Sequence, residues 1–178
     1  MCHPDRLLVR RRRKRILLSL TGFAALMSTQ TFAGSTTGAL AVTGTVTAVC
    51  QSLTANALAF GTYDPTAQTR TATTTFSIEC TASTPIAVAL NAGSTIGASM
   101  AARKMTDGLT NTLTYQLYTD ATRSIVWGDG TAGSQTVTGV GIGIGSPLVF
   151  TVYGAIPSGQ NDVVPGSYSD TITITVTY

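Results

Sequence analysis

Charge and histidine are the scarcest features of this 178-residue sequence. Charged residues make up 11% of the chain, and the only histidine is His3. Histidine is the commonest general base and a frequent metal ligand, so its scarcity argues against catalytic triads and zinc sites. The carboxylates are scattered among predicted turns, where aspartate commonly accepts backbone hydrogen bonds. The alternative to turn residues is that two of these carboxylates converge in the active site of a glycosidase. We expect no enzymatic activity, no bound metal and no cofactor.

Only four basic residues follow position 15. Residues 10–15 read RRRRKR, residues 16–27 form an apolar run, and Ala33 supplies the small residue that a signal peptidase requires. We therefore expect residues 1–33 to be a cleaved signal peptide, since twelve largely apolar residues are too few to cross a bilayer as a helix. The remaining 145 residues carry four basic and seven acidic side chains, a net charge of −3. This negative charge removes the electrostatic support for a nucleic-acid partner.

Cysteine is also scarce, and one of the three, Cys2, lies in the predicted signal peptide. The other two, Cys50 and Cys80, form an even number in a chain that we expect to be exported, which favours a disulfide. Closing a loop of about thirty residues stabilises a fold by roughly 3–4 kcal/mol on the chain-entropy model. Two reduced core cysteines are the alternative.

Long amphipathic stretches and helix-favouring residues are lacking after position 33, whereas threonine, alanine and glycine are abundant. This composition, with short apolar runs between turn signals, predicts a single all-β sandwich domain. One helical turn is predicted over residues 98–104. The predicted strands before the C-terminal one cover residues 58–63, 71–80, 86–90, 113–118, 125–127, 137–144 and 148–156.

Two other patterns have alternative interpretations. Residues 141–145 read GIGIG, but a phosphate-binding loop requires a following helix and a strand follows here, so we assign these glycines to a strand. Aromatic residues of the predicted domain form either a sugar-binding platform or, more commonly in sandwiches, part of the core. These residues are Tyr115, Tyr118, Trp127, Tyr153 and Tyr168.

The last residues of the sequence show the strongest strand pattern. From position 171 onward, threonines alternate with four apolar residues: Ile172, Ile174, Val176 and Tyr178. Successive side chains of a strand point to opposite faces, so one face is apolar and the other carries hydroxyls. No charge or proline blunts the edge of this strand, which predicts that it pairs with a strand from another molecule.

A second alternating run, residues 39–50, is twice the usual length of a strand. One long strand is the alternative to our interpretation, in which the first half reaches out of the domain and the second half starts it. An overlong N-terminal run and an uncovered terminal strand together predict strand exchange between molecules. Because such a contact does not close on itself, it builds a filament.

These segments resemble the spore coat protein U domain family, the pilin fold of archaic (Csu-type) chaperone–usher pili. The resemblance rests on residues 37–50, on YQLYTDATR at 115–123, on YGAIP at 153–157 and on GSYSDT at 166–171. It implies an incomplete immunoglobulin-like β-sandwich that lacks one strand. In that family a periplasmic chaperone supplies the strand first, and the N-terminal extension of the next subunit replaces it at the outer-membrane usher.

On this resemblance, residues 34–46 are a donor-strand extension and residues 47–178 are the sandwich domain. The donor positions are Leu40, Val42, Gly44 and Val46, and Cys50 and Cys80 match the family disulfide. The strand that borders the acceptor groove carries Ile172, Ile174, Val176 and Tyr178. We therefore expect an exported structural subunit of a surface pilus that acts in adhesion and biofilm formation. A tip or adaptor adhesin and a spore or cell coat protein are the alternatives; a tip adhesin would need an additional receptor domain.

Overall fold

The strands of this chain form two antiparallel sheets. The structure is a computed structural model that describes residues 32–178. Five strands form one sheet in the order β1-β2-β7-β5-β4, and three form the other in the order β6-β3-β8. Within residues 32–178 there is no helix, and hence none able to span a membrane. The strands are β1 (Cys50–Ala55), β2 (Arg70–Cys80), β3 (Pro85–Leu90), β4 (Arg103–Thr106), β5 (Thr112–Tyr118), β6 (Val137–Val140), β7 (Leu148–Ile156) and β8 (Ile174–Thr177).

The core is built from alternate residues of strands in both sheets. Because strand side chains alternate between faces, every second residue from position 76 in β2 and from position 86 in β3 is buried in one cluster. Trp127 lies within this cluster, with its ring centroid 5.6 Å from that of Phe76 and 6.3 Å from that of Phe150. The all-β sandwich that the sequence predicts is therefore confirmed. The buried residues of these two strands are Phe76, Ile78 and Cys80 of β2 and Ile86, Val88 and Leu90 of β3.

A disulfide joins the start of β1 to the end of β2. Cys50 and Cys80 are directly opposite in the antiparallel ladder, with their Cα atoms 4.1 Å apart. The predicted disulfide is confirmed, and the alternative of two reduced cysteines is wrong. The bond closes a loop with a sequence separation of 30 residues, which fixes the point at which the N-terminal residues meet the sandwich.

Residues 58–63 form no strand, so this prediction is wrong. The backbone turns at Gly61, whose φ is +71°, and the Phe60 carbonyl accepts a hydrogen bond from Arg70 Nε at 2.6 Å. Leu58 and Phe60 instead pack over Gly154 of β7, where an added Cβ would lie 2.7 Å from each side chain. The apolar spacing of this segment reflects a chain that lies across the sheet and covers it.

Other predicted boundaries also differ from the structure. Residues 98–104 contain no helical turn, because the backbones of Ser99 and Ala102 bond to each other and β4 begins at Arg103. Residues 125–127 form only isolated bridges. The strand predicted over 137–144 ends at Val140, since its partner β3 begins at Pro85 and the glycine segment beyond bonds to the preceding turn.

The N-terminal predictions lie partly outside the described residues. The proposed signal peptide, residues 1–33, is described only at its last two positions. Residues 39–50 are not one long strand, because no regular element precedes Cys50 in the described part of the chain. The side chains of Leu40, Val42 and Val46 are 87%, 86% and 90% exposed. The division between an extension at 34–46 and a domain at 47–178 stays a prediction.

Candidate functional site

β8 is an edge strand with one open side. It pairs with β3, and among the described residues no strand lies on its other side. Its side chains follow the alternation of the sequence: Ile172, Ile174 and Val176 are partly buried, whereas the intervening threonines are exposed. The predicted terminal strand alternates from position 171, but β8 begins only at Ile174. Ser169, just before it, bridges to Thr106 of β4 in the other sheet.

The open side of β8 presents unpaired backbone groups. Asn91 donates its backbone N–H to the Thr173 carbonyl at 3.1 Å, which places Thr173, Thr175 and Thr177 in hydrogen-bonding phase with β3. Residues of an antiparallel pair alternate between bonded and non-bonded positions. The N–H and C=O groups of Ile174 and Val176 therefore point away from β3. The two residues that turn their side chains toward the core also offer backbone groups to a further strand.

A groove of about 390 Å³ opens beside Ile172 and Ile174. Its floor consists of core side chains of both sheets, and its far wall is the segment 55–58 that follows β1. This segment is held to β2 by Asn56, which donates its backbone N–H to the Thr75 carbonyl at 3.1 Å. The groove thus exposes part of the core along the open side of β8. The core side chains on the floor are Phe76, Leu90, Tyr115, Leu117 and Val152.

A second cavity, of about 640 Å³, continues the groove. It reaches from Leu58 toward Pro65 on one side and is bordered by residues 163–168 on the other. Tyr168 stands where the two cavities meet and donates its hydroxyl to the Val164 carbonyl at 2.7 Å. The two cavities are neighbours, because they share four lining residues. The shared residues are Leu58, Phe60, Met105 and Tyr168.

Asp170 fixes one end of the groove. Its carboxylate accepts hydrogen bonds from the backbone N–H and hydroxyl of Ser94 at 2.8 and 2.9 Å, and from the Tyr115 hydroxyl at 2.7 Å. Partial burial raises the pKa of Asp170, but bonds from Tyr115, Ser94 and Thr171 outweigh it and hold this pKa below its ordinary value. Burial, followed by the bond to Asp170, raises the pKa of Tyr115. The carboxylate therefore ties the segment before β8 to β5 and to the loop after β3.

We expect acid to destabilise the protein partly through Asp170. A carboxyl whose folded pKa is depressed stabilises the fold fully above its unfolded pKa of about 3.9, and this contribution is lost as the pH falls through the folded value. The free energy of unfolding should be nearly flat from about pH 7 to pH 5 and fall below about pH 4. Urea unfolding at several pH values measures it, and Asp170→Asn should show a smaller decrease on acidification. Equal decreases in both proteins would contradict this role.

The structure separates the predicted groove and donor residues into four groups. Ile172 and Ile174 line the groove, and Val176 packs against the core without lining it. Tyr178 is 58% exposed and lines neither cavity. All four donor positions are exposed, and Gly44 has no heavy atom within 4 Å of an added Cβ. The donor assignment stays a prediction.

Several groove residues were not identified from the sequence as site residues. Leu58 and Phe60 were assigned to a strand, and Asp170 was assigned to a turn. Tyr115 lies in the core and on the groove floor, and Trp127 is buried, so these two do not form an exposed sugar platform. Within residues 32–178, no three histidine, cysteine or acidic side chains are close enough to hold a metal ion.

A family model and a relative of known name both relate this chain to the same family. The Spore Coat Protein U domain model matches residues 36–175. "Protein U" of Myxococcus xanthus is 36% identical, over 68% of this chain and 71% of that protein.

A solved structure shares the fold. It is the CsuC–CsuE chaperone–tip adhesion subunit pre-assembly complex from the archaic chaperone–usher Csu pili of Acinetobacter baumannii. The match has a TM-score of 0.53 and 22% identity, and covers 75% of this chain but only 40% of that one. At this identity the likeness shows a shared fold alone. The family model that matches residues 36–175 and the 36% identical relative show that the chain belongs to the Spore Coat Protein U domain family.

Proposed function

We propose that this chain is an exported structural subunit that polymerises by donor-strand complementation into a chaperone–usher surface pilus. The observation that carries the proposal is the groove beside β8, which combines an apolar floor with unpaired backbone groups. A β-strand from another molecule satisfies both features at once. The same chain carries an exposed alternating run, residues 40–46, whose four positions match the spacing of the four apolar positions at 172–178.

The energetics of insertion favour a strand rather than a small ligand. Burying each of Leu40, Val42 and Val46 in the groove should stabilise the complex by roughly 1.5–3 kcal/mol. Each backbone hydrogen bond to Ile174 or Val176 should add about 0.5–1.5 kcal/mol. The groove lies along an open strand edge, so it accepts side chains at successive alternate positions of an extended strand, which a compact ligand would not fill.

The open groove also accounts for the proposed partners. A subunit that exposes part of its core before assembly is prone to aggregation, so we infer that a periplasmic chaperone occupies the groove first. Neighbouring subunits then replace the chaperone at an outer-membrane usher, and the chain reaches the cell surface. The fold shared with a chaperone-bound pilus subunit supports this assignment.

Hydrogen exchange on the chain after signal cleavage tests the proposal. We expect a synthetic peptide of residues 34–48 to slow the exchange of the Ile174 and Val176 amides by about tenfold or more, because these amides face the open side of β8. The Thr175 amide, which already faces β3, should change little. The same peptide with Leu40→Arg and Val46→Arg is the matched control. A chain that is a stable monomer and shows no peptide-dependent protection would refute donor-strand complementation.

The family description favours a second assembly, a coat layer built by the same strand exchange. Immunogold electron microscopy of the producing cells distinguishes the two, because a pilus subunit labels thin filaments and a coat protein labels a continuous layer.

A further inference from the structure

The segment from 139 to 145 presents its apolar side chains outward, away from the core. Along this run the glycines at 139, 141 and 143 are at least partly buried, whereas Val140, Ile142 and Ile144 are 55%, 58% and 47% exposed. This pattern is the reverse of β8, whose apolar residues face inward. We call Val140, Ile142 and Ile144 the apolar ridge.

Close backbone packing forces this orientation. A Cβ at Gly141 would lie 2.2 Å from the Thr81 carbonyl oxygen and 2.9 Å from Cys80 Cβ, so only glycine fits there. The Gly141 backbone is bonded on both sides, to the Thr84 carbonyl at 2.7 Å and to the Ser83 N–H at 2.8 Å. Since the residues that face the protein are glycines, Ile142 and Ile144 remain directed outward. The ridge is therefore an exposed apolar surface whose backbone is hydrogen-bonded to the domain at Gly141.

The ridge lies beside the point at which the N-terminal residues leave the sandwich. Thr81 donates its backbone N–H to the Val49 carbonyl at 2.9 Å, and Gly143 donates to the neighbouring Cys80 carbonyl at 3.0 Å. Val49 is itself 41% exposed. The backbone of Cys80 and Thr81 thus lies between the ridge segment and Val49, which follows the proposed donor strand.

The connection between the two is short. If Val46 is seated in a neighbouring copy, only four residue steps separate it from Cys50, which the disulfide holds in place. Four extended residues span no more than about 14 Å. The rim of the neighbour's groove must then lie within this distance of Cys50. The disulfide partner of Cys50 is Cys80, whose carbonyl accepts a hydrogen bond from Gly143, between Ile142 and Ile144 of the ridge.

The strand register indicates which end of the neighbouring domain is involved. Thr177 of β8 lies opposite Ala87, and Val140 lies opposite Pro85, so the Thr177 end of β8 is the end at which the chain's own extension leaves. A neighbour that docked there would collide with that extension. The free end is the one that Asp170 fixes.

Two loops at this free end carry exposed apolar side chains. Ser94 and Thr95 bond to Asp170, and the next residue, Ile96, is 97% exposed. Thr106 pairs with Ser169, and the turn that follows it carries Leu109, 81% exposed. The domain therefore carries exposed apolar side chains both at the ridge and at the end that Asp170 fixes.

We propose that the apolar ridge is a second subunit contact, which packs against the loops at 91–97 and 107–111 of the copy that receives the extension. This inference rests on the proposed function and deepens it. The contact would resist rotation about the short connection at 47–49 and would oppose withdrawal of the donor strand.

Photo-crosslinking in the assembled polymer tests the contact. A benzophenone side chain replaces Ile142 in one protein and Ile125 in a control, because Ile125 is an exposed isoleucine outside the ridge. Ile142 should crosslink to residues 91–97 or 107–111 of a second copy, identified by mass spectrometry, and Ile125 should not. Polymers that form without any crosslink from position 142 to those loops would overturn the contact and leave strand exchange standing.

A double variant provides an independent measurement. The double variant Ile142→Ser with Ile144→Ser should accelerate dissociation of the polymer in detergent by about tenfold or more. Each substitution removes an apolar side chain that the proposed contact buries. Ile125→Ser should leave the rate unchanged. Binding of the 34–48 peptide should be unaffected in the double variant, because the peptide carries no ridge. An unchanged rate overturns the ridge contact; failure of the unaltered chain to polymerise or bind peptide overturns both proposals.

Discussion

Leu40→Arg is expected to abolish polymer while leaving the chaperone complex intact. Leu40 is 87% exposed in the chain itself, so the substitution removes no contact that stabilises the subunit. In a neighbour's groove the arginine would place an unpaired charge on an apolar floor, which costs several kcal/mol or keeps the side chain outside. Electron microscopy and the heat-sensitive ladder of polymers on gels measure assembly, and co-purification measures chaperone binding.

The adjacent position supplies a matched control. Ala41→Arg introduces the same charge one residue away, and a strand directs successive side chains to opposite faces. We expect Ala41→Arg to assemble normally and deletion of residues 34–42 to behave like Leu40→Arg. Pili of normal length from the deletion variant would show that the donor strand lies elsewhere.

Ile174→Arg is expected to impair both chaperone binding and polymer formation. Ile174 pairs with Leu90, packs against the core and lines the groove, so an arginine there alters the acceptor itself. A buried unpaired charge places this substitution among the strongly destabilising ones, at roughly 3–5 kcal/mol. Soluble yield in the periplasm with co-expressed chaperone, followed by co-purification, measures the effect.

Thr175→Arg is the control for this prediction. Thr175 is in the same strand, but its side chain is on the exposed face. We expect near-normal chaperone binding, because the apolar face and the open backbone edge of β8 are unchanged. If Ile174→Arg bound chaperone as well as Thr175→Arg does, the groove beside β8 would not be the chaperone site.

Alternation predicted the strands well where both faces had clear environments. Residues 148–156 and 86–90 were assigned almost to the residue, because their apolar positions face a single core. The assignment failed at 58–63, where the same spacing belongs to a segment that crosses β7 at Gly154. A local pattern records which side chains are buried, but not whether the backbone is paired in a ladder or lies over one.

Arg103 is a polar residue whose environment the local sequence likewise did not predict. Its sequence neighbours gave no sign of burial, yet the side chain is fully buried and donates to the Trp127 carbonyl at 2.7 Å and the Asn91 carbonyl at 2.9 Å. Burial lowers the pKa of Arg103, and these carbonyl partners offset the cost of removing the charge from water. Such partners come from loops 12 and 24 residues away, so only the fold reveals them.

The sequence by itself determined an all-β domain, its disulfide and the apolar face of the terminal strand, because these depend on residue type and a period of two. The tertiary structure decided what lies beside that strand. Leu58, Tyr115 and Asp170 meet at the groove although as many as 112 positions separate them. It also directed Ile142 and Ile144 outward, because Gly141 packs against Thr81. Strand order and close backbone approach govern these contacts, and neither is encoded in a local pattern.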